Sequence, residues 1–240
     1  MSNKELIFDG KEKQIFQAEE PGRVLIHYKD DTTAYGGLKR AVFPGKGALN
    51  CQISALVFEC LAKAGVRTHY LGTVGENEQL CEKVDMLPLH MVVRNYIAGS
   101  TAVLLGLEDG FKPKNVVYEL KYDNEGLGDP MINSHHAVAL GLLSYEDIER
   151  IYSMVKTAND ALVGLFTRAG IKLVDYRIEF GRTGDGELII ADEISPDTSR
   201  MWDAATDEKL DKDRFRLDLG FICDSYRKVY DRLKNAIQGV

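Results

Sequence analysis

The stretch Lys172 to Gly181 constrains this chain more than any other. Asp175, Arg177 and Glu179 alternate there with Val174, Tyr176, Ile178 and Phe180. Side chains along a strand point to opposite faces in turn, so three charges share one face and the apolar set takes the other. The apolar face has to be laid against a core, and the charged face has to look into water or a polar cleft. A second strand, Glu187 to Ile194, follows through Thr183-Gly184-Asp185-Gly186, and Asp-Gly is a favoured pair for a two-residue hairpin turn. With Asp185 and Gly186 as the turn, Gly184 pairs with Glu187, and counting back sets Glu179 directly opposite Asp192. Facing carboxylates repel unless a cation lies near them. Magnesium suits the pair, because it takes a few carboxylate oxygens and completes its shell with water and phosphates. The other reading is a solvent-facing acidic hairpin edge.

The totals narrow the setting. A chain of 240 residues, 45% hydrophobic and 28% charged, can bury a real core in one large domain or two modest lobes, and shows no bias toward disorder. Thirty Lys and Arg stand against 37 Asp and Glu, a net charge of −7, which argues against a protein that wraps nucleic acid. Cys51, Cys60, Cys81 and Cys223 are scattered without a C-x-x-C pair, so reduced, mostly buried thiols are expected rather than a disulfide framework or zinc site. No apolar run approaches a signal-peptide core or a membrane span, and the cytoplasm is the expected address.

Periodicity organises the rest. Glu5 to Phe8, Gln14 to Gln17 and Val24 to Tyr28 read as a small meander, with turns at Asp9-Gly10-Lys11 and Pro21-Gly22. Ile53, Leu56, Val57, Cys60 and Leu61 recur at helical spacing before Gly65. Thr68 to Leu71 and Leu80 to Val84 are strand-like, and Pro88 interrupts the pattern in Asp85 to Leu89, where a boundary between lobes 1–86 and 87–240 is expected. Strands at Met91 to Tyr96 and Val116 to Tyr122 follow. Ser144 with Asp147 caps a long helix ending before Gly170, and a last amphipathic helix runs from about Asp218 to Ile237.

Three further clusters carry candidate chemistry. Gly10 permits close backbone approach at its turn, and Lys11 and Lys13 supply point charges suited to phosphate, although lysines beside a turn also serve as solubilising surface. Neither the P-loop nor the dinucleotide glycine fingerprint is present. Arg94 ends an apolar strand with Gly99-Ser100-Thr101 shortly after, a set suited to a phosphate monoester or, equally, to an ion pair and a helix cap. Asp192 to Asp203 crowds carboxylates, hydroxyls, Arg200 and the only Trp into a segment read as a loop, and Lys212 to Arg216 reads by itself as a solvated helix start.

Taken in order, Gly10-Lys11-Glu12-Lys13, Val92-Val93-Arg94-Asn95 with Gly99-Ser100, Gly128-Asp129-Pro130, Asp175 to Gly181, Asp192 to Asp197 and Asp211 to Phe215 closely resemble the SAICAR synthetase family, and the resemblance covers nearly the whole chain. It implies a two-lobed α+β fold, with an N-terminal antiparallel lobe similar to that of protein kinases and an ATP cleft between the lobes. The implied reaction is a step of purine synthesis, in which ATP drives amide formation between a phosphoribosyl carboxyaminoimidazole carboxylate and the amine of L-aspartate. A small-molecule kinase with the same ATP and magnesium cleft is the alternative.

By resemblance, Gly10, Lys11 and Lys13 face the ATP phosphates, Met86 lines the adenine pocket, and Lys121 contacts the nucleotide. Glu179 and Asp192 hold Mg2+. Arg94, Ser100 and Arg200, with Asp129, bind the phosphorylated substrate, while Asp175, Arg177 and Asp197 serve the carboxyaminoimidazole and aspartate pockets. Asp175, Arg177 and Lys13 are the catalytic candidates. Glu12 stands where relatives carry a small or uncharged residue and is expected to point away from ATP. His90 replaces a common acidic residue, and Arg177 a common lysine. The partners implied are small molecules, neither nucleic acid nor membrane, and a homodimer or higher homo-oligomer is expected.

Overall fold

A computed structural model describes residues 5–239 of the chain. Its fold is mixed α+β. β1 (Leu6–Asp9), β2 (Lys13–Gln17) and β3 (Arg23–Tyr28) form the expected meander, and a small hairpin, β4 (Asp31–Ala34) and β5 (Lys39–Val42), precedes α1 (Lys46–Lys63). β6 (Tyr70–Thr73) and β7 (Glu78–Glu82) complete a five-stranded sheet of order β1-β2-β3-β7-β6.

The second sheet begins with β8 (Asp85–Arg94). α2 (Ser100–Leu105), β9 (Val117–Tyr122), β10 (Met131–Ile132), α3 (Ser134–Ala139) and α4 (Tyr145–Arg168) follow in turn. β11 (Ile171–Arg182), β12 (Leu188–Ala191), β13 (Ser199–Asp203), α5 (Asp213–Arg216) and α6 (Ile222–Gln238) complete the chain. The sheet order is β10-β9-β8-β11-β12, with β13 also on β11.

α1 is buried on nearly every side. Its Leu49, Ile53, Val57, Phe58 and Leu61 belong to the main core with β8, β11, α4 and α6, while Cys51 joins Val24, Ile26, Tyr28 and Cys81 under the first sheet. A helix apolar all round is one enclosed between layers. α4 is capped as its sequence predicts: Asp147 N donates to Ser144 Oγ at 3.0 Å, and Ser144 N donates to Asp147 Oδ2 at 3.0 Å. It covers the apolar face of β11, where Tyr176, Ile178 and Phe180 are fully buried.

Pro88 does not break its strand; β8 runs through it unbroken. The register of β8 on β11 shifts between Glu179 and Gly181, so the missing N–H falls at an irregularity, where proline is tolerated. The segment read as a loop after Asp192 contains β13. Lys212, Asp213 and Arg214, expected on a solvated helix start, are buried. All four cysteines are free, Cys51 and Cys81 buried. Among the described residues no helix is long and apolar enough to cross a membrane.

Candidate functional site

The site lies where β11 changes partners. β13 pairs with its first half, Ile171 to Tyr176, and β12 with its end, Glu179 to Arg182. Between those pairings the segment Asp192 to Thr198 leaves the sheet, tied back where Arg177 N donates to Thr198 O at 2.8 Å. The charged face of β11 thus opens into a cavity of about 760 Å³, lined by Asp175, Arg177 and Glu179 on one side and by Gly10, Lys11 and Lys13 of the β1–β2 turn on the other. Gly10 fits this wall because its backbone is crowded: a Cβ there would stand 2.8 Å from the Phe8 ring.

The hairpin count needs correction. Glu179 stands opposite Ala191, not Asp192. Thr183 N donates to Glu187 O at 2.9 Å, and Thr183 Oγ1 accepts from Glu187 N at 3.0 Å. The loop therefore holds residues 184–186 rather than Asp185 and Gly186 alone.

The two carboxylates reach the same cavity by another route. Asp192 leaves the strand with a left-handed backbone, φ 64°, a conformation that aspartate tolerates better than most residues. His69 Nε2 donates to the Asp192 carbonyl at 2.9 Å. Burial drives His69 down to about 4, so its ring is neutral near pH 7 and holds the kink as a plain hydrogen-bond donor.

Charge at this end is unevenly matched. Lys13 pairs with Asp192 and, at 3.0 Å, with Glu193. Burial, and after it the charge of Asp192, pushes Glu179 well above the usual carboxylate range, against the pull of Arg177 and Lys13. Burial acts on Asp192 in the same sense, but Lys13 outweighs it and holds that carboxyl low. Arg177 reaches Glu179 at 2.5 Å and Asp123 at 3.3 Å. Glu193 Oε2 and Arg177 Nε are buried with no hydrogen-bond partner.

The other end is a lattice of paired charges. Arg94 spans Glu119 with Nε and Nη2, at 2.7 and 2.8 Å, and donates from Nη1 to Asp175 at 2.6 Å. Arg200 donates to Asp175 at 2.9 Å and to Asp213 at 2.8 Å. Gly99, at φ 63°, lets the start of α2 lie against this arginine, since a Cβ there would fall 2.3 Å from Arg200 Nη2. Ser100 opens α2 exposed and outside the cavity lining. Asp129 lines the cavity while its carboxylate accepts from Asn124 N at 3.0 Å.

Several residues depart from the sequence expectations. Met86 is 46% exposed on β8, and neither it nor Lys121 on β9 belongs to the cavity wall. Lys11 is held by Glu125 across the cavity mouth. Glu12 does not point away: it lines the cavity, pairs with Lys212 at 2.5 Å and accepts from Thr33 N at 3.0 Å. Asp197, expected in a substrate pocket, lines the cavity, but its carboxylate is 1% exposed and fully engaged. Lys46 at 2.5 Å and Asn50 at 2.7 Å hold one oxygen, and Tyr226 at 2.6 Å holds the other. Lys46, Asn50, Tyr226, Glu119 and Glu193 are the site residues that the sequence reading missed. For Lys46 and Asn50 a signal was available: with Ser54 they recur every fourth residue of α1, a polar stripe along one helix face.

The acid end fits a divalent cation. Among the described residues no group of three or more His, Cys, Asp and Glu is gathered as a ready metal cage. Magnesium, however, needs only one or two carboxylates beside phosphate and water. Glu179 and Asp192 are hard oxygen donors whose mutual repulsion a cation would relieve.

A mixed α+β fold whose cavity carries lysines at one end and arginines at the other, each set among carboxylates, suits ligands that bear phosphate. The SAICAR synthetase family model matches residues 6–233. The phosphoribosylaminoimidazole-succinocarboxamide synthase of Clostridium acetobutylicum is 48% identical over 233 residues, 97% of this chain and 99% of its own. The crystal structure of the enzyme of that name from Ehrlichia chaffeensis is similar with a TM-score of 0.93 at 38% identity, covering 96% of this chain and 98% of the other. A SAICAR synthetase solved in complex with ADP gives 0.91 at 42%, covering 95% and 97%. The chain belongs to the SAICAR synthetase family, the ATP-dependent, amide-forming ligases of purine biosynthesis.

Proposed function

We propose that the cavity between the two sheets, flanked by lobes 1–86 and 87–240 with a kinase-like first lobe, seats ATP beside the carboxyaminoimidazole nucleotide and L-aspartate. The adenine end lies toward Met86 and Lys121, and the phosphates lie under Gly10, Lys11 and Lys13. The ADP complex of a structural relative supports a nucleotide in this fold. Arg94 and Arg200, with Ser100 and Asp129, receive the substrate's ribose phosphate, their forks already aimed by Glu119, Asp175 and Asp213. Asp175 and Arg177 face the reacting carboxylate and amine. Asp197 acts from behind, fixing the Asp192 to Ser199 segment to α1 and α6 through Lys46, Asn50 and Tyr226.

A carboxylate is a poor electrophile. In this reading its oxygen attacks the γ-phosphorus of ATP, ADP leaves, and an acyl phosphate forms. The amine of aspartate then attacks the acyl carbon, expels phosphate and closes the amide. Mg2+ held by Glu179 and Asp192 would supply charge neutralisation of the phosphoryl oxygens. Lys13 adds a point charge beside them, and the enclosed walls hold the reactants in line and exclude water. No covalent bond to the protein is needed.

The observation that carries this reading is the convergence of Asp192 and Glu193 on one lysine, with a Glu193 oxygen left unpartnered and Glu179 in the same wall, across a single cavity from Arg94 and Arg200. The reading extends to a cytoplasmic enzyme working as a homodimer or higher homo-oligomer, which the exposed Val103, Leu104 and Leu105 of α2 support. Its test is ADP release by purified protein given ATP, Mg2+ and the carboxyaminoimidazole nucleotide, with and without aspartate. Turnover that needs every component is expected. Sustained ADP release without aspartate, with phosphate retained on the acceptor, would mark a kinase instead.

A further inference from the structure

Consecutive residues of an extended strand send their side chains to opposite faces, so Asp192 and Glu193 ought to diverge. The left-handed backbone at Asp192 cancels that alternation, and both carboxylates reach the same Lys13 ammonium. They do so from different depths. Both line the cavity, but the Asp192 side chain is 21% exposed and the Glu193 side chain 3%.

Only one oxygen of Glu193, Oε1, meets Lys13, at 3.0 Å; Oε2 is buried with no partner. Buried carboxylates kept for packing have both oxygens satisfied, as Asp197 does here, because an unpaired buried oxygen costs stability. Glu193 therefore carries a charge that Lys13 and the neighbouring Ser195 hydroxyl compensate only in part.

Resting on the ATP reading above, we propose that Glu193 is the positioning residue for Lys13. Once Asp192 turns to a metal ion, the lysine loses its cavity-side partner, and Glu193 is the carboxylate that still holds the ammonium from behind. A lysine carries three donors on a flexible stem. One donor fixed on Glu193 leaves two for phosphate oxygens and confines the stem to a single approach. Glu193 touches neither substrate nor metal; its effect passes through Lys13.

The experiment is a double-mutant cycle of Glu193→Gln with Lys13→Met, read in steady-state turnover with ATP, Mg2+, the carboxyaminoimidazole nucleotide and aspartate. Glu193→Gln in the unaltered background should lower kcat about tenfold or more. The KM for aspartate should stay within about twofold, and the melting temperature should hold or rise, since a neutral amide replaces a half-satisfied buried charge. In the Lys13→Met background the same change should add less than about twofold, because the group it positions is gone. Glu193→Asp, which keeps the charge one methylene further back, should fall between, and it serves the cycle equally should the Gln variant fail to fold.

Normal kcat in Glu193→Gln, or an equal loss in both backgrounds, would overturn the positioning role and leave the ATP reading intact. Normal turnover in Lys13→Met would sink both.

Discussion

The two ends of the cavity solve the same electrostatic problem in opposite ways. Around Arg94 and Arg200, each carboxylate meets guanidinium donors at hydrogen-bond distance: Glu119 is spanned, Asp175 is shared, and Asp213 is held by Arg200 and Arg216. Around Lys13, acids crowd together, Glu179 is pushed up by burial and by Asp192, Asp192 sits on a strained backbone, and a Glu193 oxygen lacks a partner. The first end is complete as folded; the second is stabilised by whatever cation arrives. Mutation at the incomplete end should therefore damage chemistry and spare the fold, and mutation at the complete end should cost the fold as well as substrate binding.

The sharpest break of that contrast is Glu179→Gln. Turnover should fall about a thousandfold, the scale of losing one preorganised charge at a transferring group, while the melting temperature holds or rises because a repelling buried carboxylate is gone. Magnesium titration of the residual activity should shift to higher concentration. Near-normal turnover would remove Glu179 from the metal site and dissolve the contrast.

Arg94→Met should instead lower stability together with substrate binding. Glu119 and Asp175 would be left buried without their common cation, a loss of about 3 kcal/mol of stability, readable as a lowered urea midpoint. Adding Glu119→Gln should recover part of it, since one uncompensated charge is then removed. A stable Arg94→Met would mean that the lattice contributes little and that both ends depend on ligands.

How much of this was legible follows the range of the interactions. Local signals sufficed for α4, whose Ser144 and Asp147 cap each other as written, and for β11, whose alternation divides core from cavity. The turn after it was misread, because Asp-Gly favours a two-residue loop while the Thr183 hydroxyl, by taking the Glu187 N–H, closes a three-residue one. The one-residue error would have separated Glu179 from Asp192 in a straight strand. The left-handed kink brings Asp192 back to the cavity that Glu179 lines, and no local pattern announces it, since the His69 that secures the kink lies 123 residues away in the chain. Pro88 misled in the same manner, because a proline marks a break only where its N–H would have been used. Lys212, read as part of a solvated helix start, and Glu12, expected to point away from ATP, are partners 200 residues apart.

A smaller effect should come from Tyr226→Phe. It removes one hydrogen bond to the buried Asp197 carboxylate and leaves Lys46 and Asn50 in place. The expected loss is about 1.5 kcal/mol of stability, the worth of a hydrogen bond to a charged acceptor. kcat should drop by a few-fold at most while the KM for ATP is unchanged. A large KM shift would instead bring the Asp197 carboxylate into contact with substrate, as the sequence resemblance implied.

The least change is expected from Glu125→Gln, and it sharpens the comparison at the cavity mouth. The Lys11 and Glu125 side chains are 46% and 64% exposed, so water and salt screen their pair and its worth to the fold is at most about 0.5 kcal/mol. Depth, rather than charge count, decides what an ion pair here does: the buried Arg94 lattice holds the fold, and the exposed pair only competes for a lysine. With Glu125 neutral, Lys11 is free for phosphate, and the KM for ATP should fall about twofold at low salt, with the difference fading as ionic strength rises. An unchanged KM at low salt would take Lys11 out of the phosphate site and leave Lys13 as the lysine of that turn facing the nucleotide.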